Sequence, residues 1–139
     1  MIAYVDASVL LRVALRQADA LPEWRQIQQG VSSALIMTES LRTLDRLRVR
    51  ARLSDEHVAS RRATILQLIA SLELVEIDAL VLDRAAQPMP TELGTLDAIH
   101  LATALSIREI ENVDLLLTHD SQLATAARSL GFEVMGIDQ

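Results

Sequence analysis

Residues 113–118 read VDLLLT and run directly into His119, Asp120 and the helix-prone SQLATAA. The apolar residues are continuous rather than alternating, so a strand here must be buried on both faces, as in a parallel sheet covered by helices on each side. Working outward, the same logic predicts strands at Ile2–Val5, Val31–Leu35, Leu74–Ile77 and, as an edge, Phe132–Ile137. Between them, helical spacing predicts Ser8 to about Ala18, a short helix opened by Pro22 and closed by Gly30, Thr38–Arg52, and Asp55–Leu72 with Ser54 as cap. Further helices are expected near Ala79–Ala86, from Thr95 to about Arg108, and over Ser121–Leu130 with Gly131 as stop, while Pro88 and Pro90 mark a loop. Short strands separated by helices specify an α/β fold: a three-layer α/β/α sandwich with a mainly parallel sheet of four to five strands, in a single domain spanning 1–139.

Composition narrows the function. Half the residues are hydrophobic, yet only Tyr4, Trp24 and Phe132 are aromatic, so the core is aliphatic. Trp24 is expected in the core or at an interface, with a platform for a stacked base as the alternative. No apolar stretch approaches the roughly 20 residues of a membrane span and Asp6 interrupts the N-terminal run, which points to a cytoplasmic protein. The absence of cysteine excludes disulfides and thiolate metal sites. All 13 basic residues are Arg. Seven of them, against Asp45, Asp55 and Glu56, make the window Arg42–Arg62 +4 in a chain whose net charge is −6, leaving −10 elsewhere.

Four carboxylates stand where strands give way to helices: Asp6 in YVDASVLL, Glu39 in SALIMTESL, Asp97 in GTLDAIHLATA and Asp120 in LLLTHDSQLATAA. Acids at helix starts cap free N–H groups, so Asp6 and Asp120 read as N-caps and Glu39 and Asp97 as first-turn acids. Their shared setting adds a second reading, because ligands of an open parallel sheet collect beyond the carboxyl ends of its strands. Asp97 is the sharpest case. Its helix is apolar on nearly every side, where an ionised carboxylate is costly unless an Arg, a metal ion or the helix dipole compensates it. His100, one turn on, is expected to pack or hydrogen-bond locally rather than ligate. Ser8 and Thr118 lie two residues from Asp6 and Asp120, where hydroxyls orient a carboxylate or cap a helix.

At about 100° per residue, Glu39, Arg42, Arg46 and Arg50 fall within a sector of roughly 80°, with Leu41, Leu44, Leu47 and Ala51 on the other side. Such a ridge is either a solvated charged face or a holder of phosphates beside an acidic pocket.

These residues carry a resemblance. DASVLL, the spacing of Ser33 to Glu39, TLDAIHLATA, and Thr118-x-Asp120 followed by an alanine-rich helix and Gly131 together resemble a PIN domain over essentially the whole chain, at a size similar to VapC-type toxins. The resemblance implies a magnesium- or manganese-dependent endoribonuclease in which Asp6, Glu39, Asp97 and Asp120 form the acidic constellation. It also implies an RNA substrate, a small antitoxin partner and dimerisation. Thr118 matches the family's hydroxyl before the last acid, whereas His119 between them departs from it.

The residues suit that chemistry. Hard divalent cations take oxygen ligands and need neither His nor Cys. Crowded carboxylates raise one another's pKa, and a cation relieves the repulsion. Rivals fit less well. Receiver domains and haloacid-dehalogenase-like phosphatases use a Lys that this chain lacks, and its glycines (30, 94, 131, 136) form neither a dinucleotide fingerprint nor a P-loop. The remaining alternative is a non-catalytic RNA- or protein-binding module in which the acids only cap helices.

Overall fold

The computed structural model describes residues 2–137. The elements run β1 (Ile2–Val5), α1 (Ala7–Ala14), a 3-10 turn over Pro22–Gln26, β2 (Gln29–Ser33), α2 (Leu35–Arg50), α3 (Asp55–Ala70), β3 (Leu72–Val75), α4 (Ala79–Ala85), α5 (Thr95–Arg108), β4 (Leu115–Leu117), α6 (Ser121–Ser129) and β5 (Glu133–Met135). The strands form one sheet in the order β3-β2-β1-β4-β5, and every pairing is parallel.

Side chains of the buried strands divide alternately between two cores even though their polarity does not alternate. Ala3, Val5, Leu115 and Leu117 meet Leu10, Ile36, Leu44, Ile65 and Ile69 from α1, α2 and α3. Tyr4, Val31 and Leu116 meet Leu101, Ala104 and Ile107 of α5 and Leu123, Ala126 and Ala127 of α6. The small Ala side chains let α5 and α6 approach the sheet closely, and each fully buried Leu contributes about 1.5–3 kcal/mol. Helix α4 packs on α5 through Val81, Ile99 and Ala102. Trp24 packs partly buried against the first core.

Several boundaries differ from the sequence reading. Helix α1 stops at Ala14 because Arg16 takes a left-handed φ of 54° and the Gln17 N–H closes on the Arg12 carbonyl at 3.0 Å, a helix stop made without glycine. Gly30 does not close a helix. It lies in β2 between Ala3 and Leu72, where a Cβ would collide with the Leu72 side chain. Helix α2 begins three residues before Thr38, its entry marked by the Leu35 N–H donating to Ser33 Oγ at 3.1 Å. Glu39 therefore lies beyond the first turn. Thr95 is the first helical residue of α5 and Gly94 stands at its cap. The Ser54 cap is as expected, accepting from the His57 N–H at 3.1 Å.

The strand order determines where a ligand can sit. From β1 the chain moves outward to β2 and β3, then returns to the far side of β1 with β4 and β5. The crevice beyond the carboxyl ends of β1 and β4 is thus the topological switch point. Val5 is in register with Leu117, which sets Asp6 beside Thr118. Among the described residues, no helix is long and apolar enough to cross a membrane.

Candidate metal centre

Asp6 leaves β1 at the N-cap of α1 but makes no capping hydrogen bond through its side chain. Its carboxylate is held instead by two hydroxyls: Ser8 Oγ donates to Asp6 Oδ2 at 2.6 Å and Thr118 Oγ1 donates to the same oxygen at 2.9 Å. Both hydroxyls are anchored in turn, because the His119 N–H donates to Ser8 Oγ at 3.0 Å and the Asp120 N–H donates to Thr118 Oγ1 at 3.0 Å. One network therefore joins the turn after β1 to the turn after β4. His119, whose role the sequence left open, also bonds Gly136 O through Nδ1 at 2.7 Å, tying β5's exit to the same turn.

Asp120 caps α6, accepting from the Leu123 N–H at 2.9 Å. Asp97 lies in the first turn of α5 without a side-chain cap. Glu39 reaches across from α2 and hydrogen-bonds to His100 Nε2, whose nearer Asp6 oxygen lies 3.8 Å away. His100 is fully buried and bonds to the Tyr4 hydroxyl through Nδ1 at 2.6 Å, so it packs and hydrogen-bonds locally as expected. Tyr4 was not singled out in the sequence. The signal is that it is the one hydroxyl-bearing residue of β1, two residues before an acid.

The electrostatics bring the four acids together. The Asp97 carboxyl is pushed up to about 6, first by burial, then by the charges of Asp6 and Asp120, with His100 opposing and Glu39 adding. Burial disfavours the His100 imidazolium, but the Glu39 hydrogen bond and the charges of Asp6, Glu39 and Asp97 outweigh it and raise its pKa. Burial also raises the Tyr4 pKa, so the phenol stays protonated. Among the described residues, no Arg forms an ion pair with any of the four acids.

The four carboxylates, with His100 the one cationic partner beside them, offer the oxygen donors that a hard divalent cation suits. Among the described residues, no three Asp, Glu or His side chains stand grouped so that they could hold a metal ion as they are placed. A separate cavity of about 590 Å³, lined by Val31, Val75, Val81 and Ile107, is bordered by none of these acids.

Residues 3–129 match the family model for the PIN domain. The chain belongs to the PIN-domain family. It is 40% identical over 137 residues to ribonuclease VapC46 of Mycobacterium tuberculosis, with 95% of each chain covered. It is 31% identical over 141 residues to ribonuclease VapC35 of the same organism, covering 98% of this chain and 97% of the relative. The expected enzyme class, a VapC-type ribonuclease, is the class of these relatives.

Solved structures agree on the fold. The crystal structure of VapC20 from M. tuberculosis, a toxin that cleaves the sarcin-ricin loop, superposes with a TM-score of 0.64 at 15% identity over 94% of this PIN domain and 96% of that chain. VapBC2 of Rickettsia felis, bound to a promoter DNA fragment, gives a TM-score of 0.63 at 11% identity over 97% and 98%.

The arginine ridge is exposed as the helical wheel predicts, while Leu44 is buried and Leu41 and Leu47 are half-buried. Arg42 pairs with Asp45 at 3.0 Å and Arg46 donates to Thr43 Oγ1 at 3.0 Å.

Proposed function

We propose that this PIN domain is a divalent-cation-dependent endoribonuclease in which Asp6, Glu39, Asp97 and Asp120 hold Mg²⁺ or Mn²⁺. The observation that carries this reading is geometric: the buried Asp6 carboxylate caps nothing and is held by Ser8 and Thr118, and His100, bonded to Glu39, lies 3.8 Å from it. The Asp97 carboxyl, raised to about 6 by burial and the other three acids against the opposing His100, agrees with it. A reading of the acids as caps alone accounts for Asp120. It leaves Asp6, which makes no cap bond, and Glu39, which lies past the first turn of α2, without a role.

A bound cation would make water more nucleophilic toward the phosphodiester and neutralise charge on the leaving oxygen. The chain's own residues do the rest. Ser8 and Thr118 hold the Asp6 carboxylate in one orientation. Arg42, Arg46 and Arg50 lie on the Glu39 face of α2, where they take the phosphates of the RNA. The Arg42–Asp45 pair is exposed and worth at most about 1 kcal/mol, so a phosphate readily replaces it. By the same reading the chain is the cytoplasmic toxin of a toxin–antitoxin pair, neutralised by a small antitoxin and working as a homodimer.

The test compares wild type with Asp97→Asn on a panel of structured RNAs, with Mg²⁺, with Mn²⁺ and with chelator. Cleavage by the wild type that chelator stops and Asp97→Asn lacks supports the function. Equal cleavage by both proteins, or cleavage indifferent to chelator, overturns it.

A further inference from the structure

Glu39 is the one acid of the four that stands inside a helix rather than at its start, and nothing in α2 holds its carboxylate. What holds it comes from α5 and β1. Because a carboxylate only accepts, the Glu39 oxygen that meets His100 requires the hydrogen on Nε2, and the imidazole is the donor. The ring itself has no freedom. It is fully buried, stands edge-on to Tyr4 with ring centroids 5.7 Å apart, and shares one hydrogen between Nδ1 and the Tyr4 hydroxyl at 2.6 Å. The Tyr4 oxygen is fixed a second time, accepting the backbone N–H of Ser33 at 3.1 Å. The chain of bonds thus starts at the end of β2, passes through a phenol in the central strand and an imidazole on α5, and ends on a carboxylate of α2.

We propose that His100 is a positioning residue for Glu39, with Tyr4 as its anchor, and that this buried Tyr4–His100–Glu39 chain orients the acid that α2 alone would leave free. The inference rests on the reading of Glu39 as a metal-holding acid. Partners of this kind set carboxylate orientation, and removing one typically costs 10- to 100-fold in metal affinity.

The experiment measures Mn²⁺ affinity in the absence of RNA, by electron paramagnetic resonance of the free ion, for wild type, His100→Ala, His100→Gln, Tyr4→Phe and the Glu39→Gln series. His100→Ala is expected to weaken Mn²⁺ binding about 10- to 100-fold. His100→Gln, whose side-chain amide offers an N–H in place of Nε2, restores most of it. In the Glu39→Gln background His100→Ala adds little further loss, because its effect passes through Glu39. If the alanine variant does not fold, Tyr4→Phe keeps the ring volume and removes only the anchoring hydroxyl; it should weaken binding several-fold.

Wild-type affinity in His100→Ala, or in Tyr4→Phe where only that variant folds, overturns the inference and leaves the proposed function standing. Losses that simply add in the double variant also overturn it, since they assign His100 a role independent of Glu39. A wild-type protein that binds no Mn²⁺ overturns the metal reading itself, and the positioning role falls with it.

Discussion

The acid cleft and the arginine face of α2 lie beside each other and are built on opposite terms. The cleft gathers four side chains from separate elements, holds Asp6 with two hydroxyls and Glu39 with a buried imidazole, and pushes the Asp97 carboxyl up to about 6. The ridge is three arginines on one exposed helix face, two of them engaged only with neighbours a turn away. Like charges gathered in a half-buried cleft oppose folding, and so many elements converge on such an arrangement only where something else is gained. An exposed ridge costs almost nothing and by itself says little.

That contrast can be broken most decisively by activity. The Asp97→Asn variant should lose at least about 100-fold in cleavage rate, equivalent to about 2.7 kcal/mol of transition-state stabilisation, whereas Arg46→Ala should lose only several-fold. Comparable losses in both would erase the distinction between centre and ridge.

A second effect is smaller and appears without RNA. Asp97 titrates at about 6 in the folded chain against 3.8 ordinarily, so the folded state binds its proton more tightly. Its stabilising contribution is full below 3.8 and lost as pH rises through about 6. Discounted for its solvent exposure, the change is on the order of 1 kcal/mol. Thermal unfolding in chelator should show wild type losing stability relative to Asp97→Asn between pH 4 and pH 7, with Mg²⁺ reversing the loss at neutral pH. A stability difference between the two proteins that is flat in pH would place Asp97 in solvent.

The smallest effect belongs to the ridge. Arg46→Ala should leave stability within about 0.5 kcal/mol and lower the salt slope of RNA binding by about 1. An unchanged slope would make this a solvated face and nothing more.

How much of this was legible in the sequence depended on the kind of signal. VDLLLT announced a doubly covered strand, and the four acids were visible because each follows a recognisable break in pattern. Gly30 sits in a strand and not at a helix end, since a glycine that makes room for Leu72 in the next strand looks, in one dimension, like a helix stop. The end of α1 was misplaced for the converse reason: Arg16 adopts the left-handed conformation usually left to glycine. What spacing could not supply was the tie from Tyr4 through His100 to Glu39. Those residues are 96 and 61 positions apart, and only the register of β1 under α5 brings them into contact. Likewise Thr118 could be paired with Asp120 by proximity in sequence, but that it also holds Asp6, 112 residues away, follows from Val5 lying beside Leu117.

The central claim is that these carboxylates hold a divalent cation, and Mn²⁺ titration of the RNA-free protein tests it most directly. Wild type and Arg46→Ala should bind Mn²⁺ alike while Asp97→Asn, folded to the same degree, binds far more weakly; equal Mn²⁺ binding by wild type and Asp97→Asn would contradict the account.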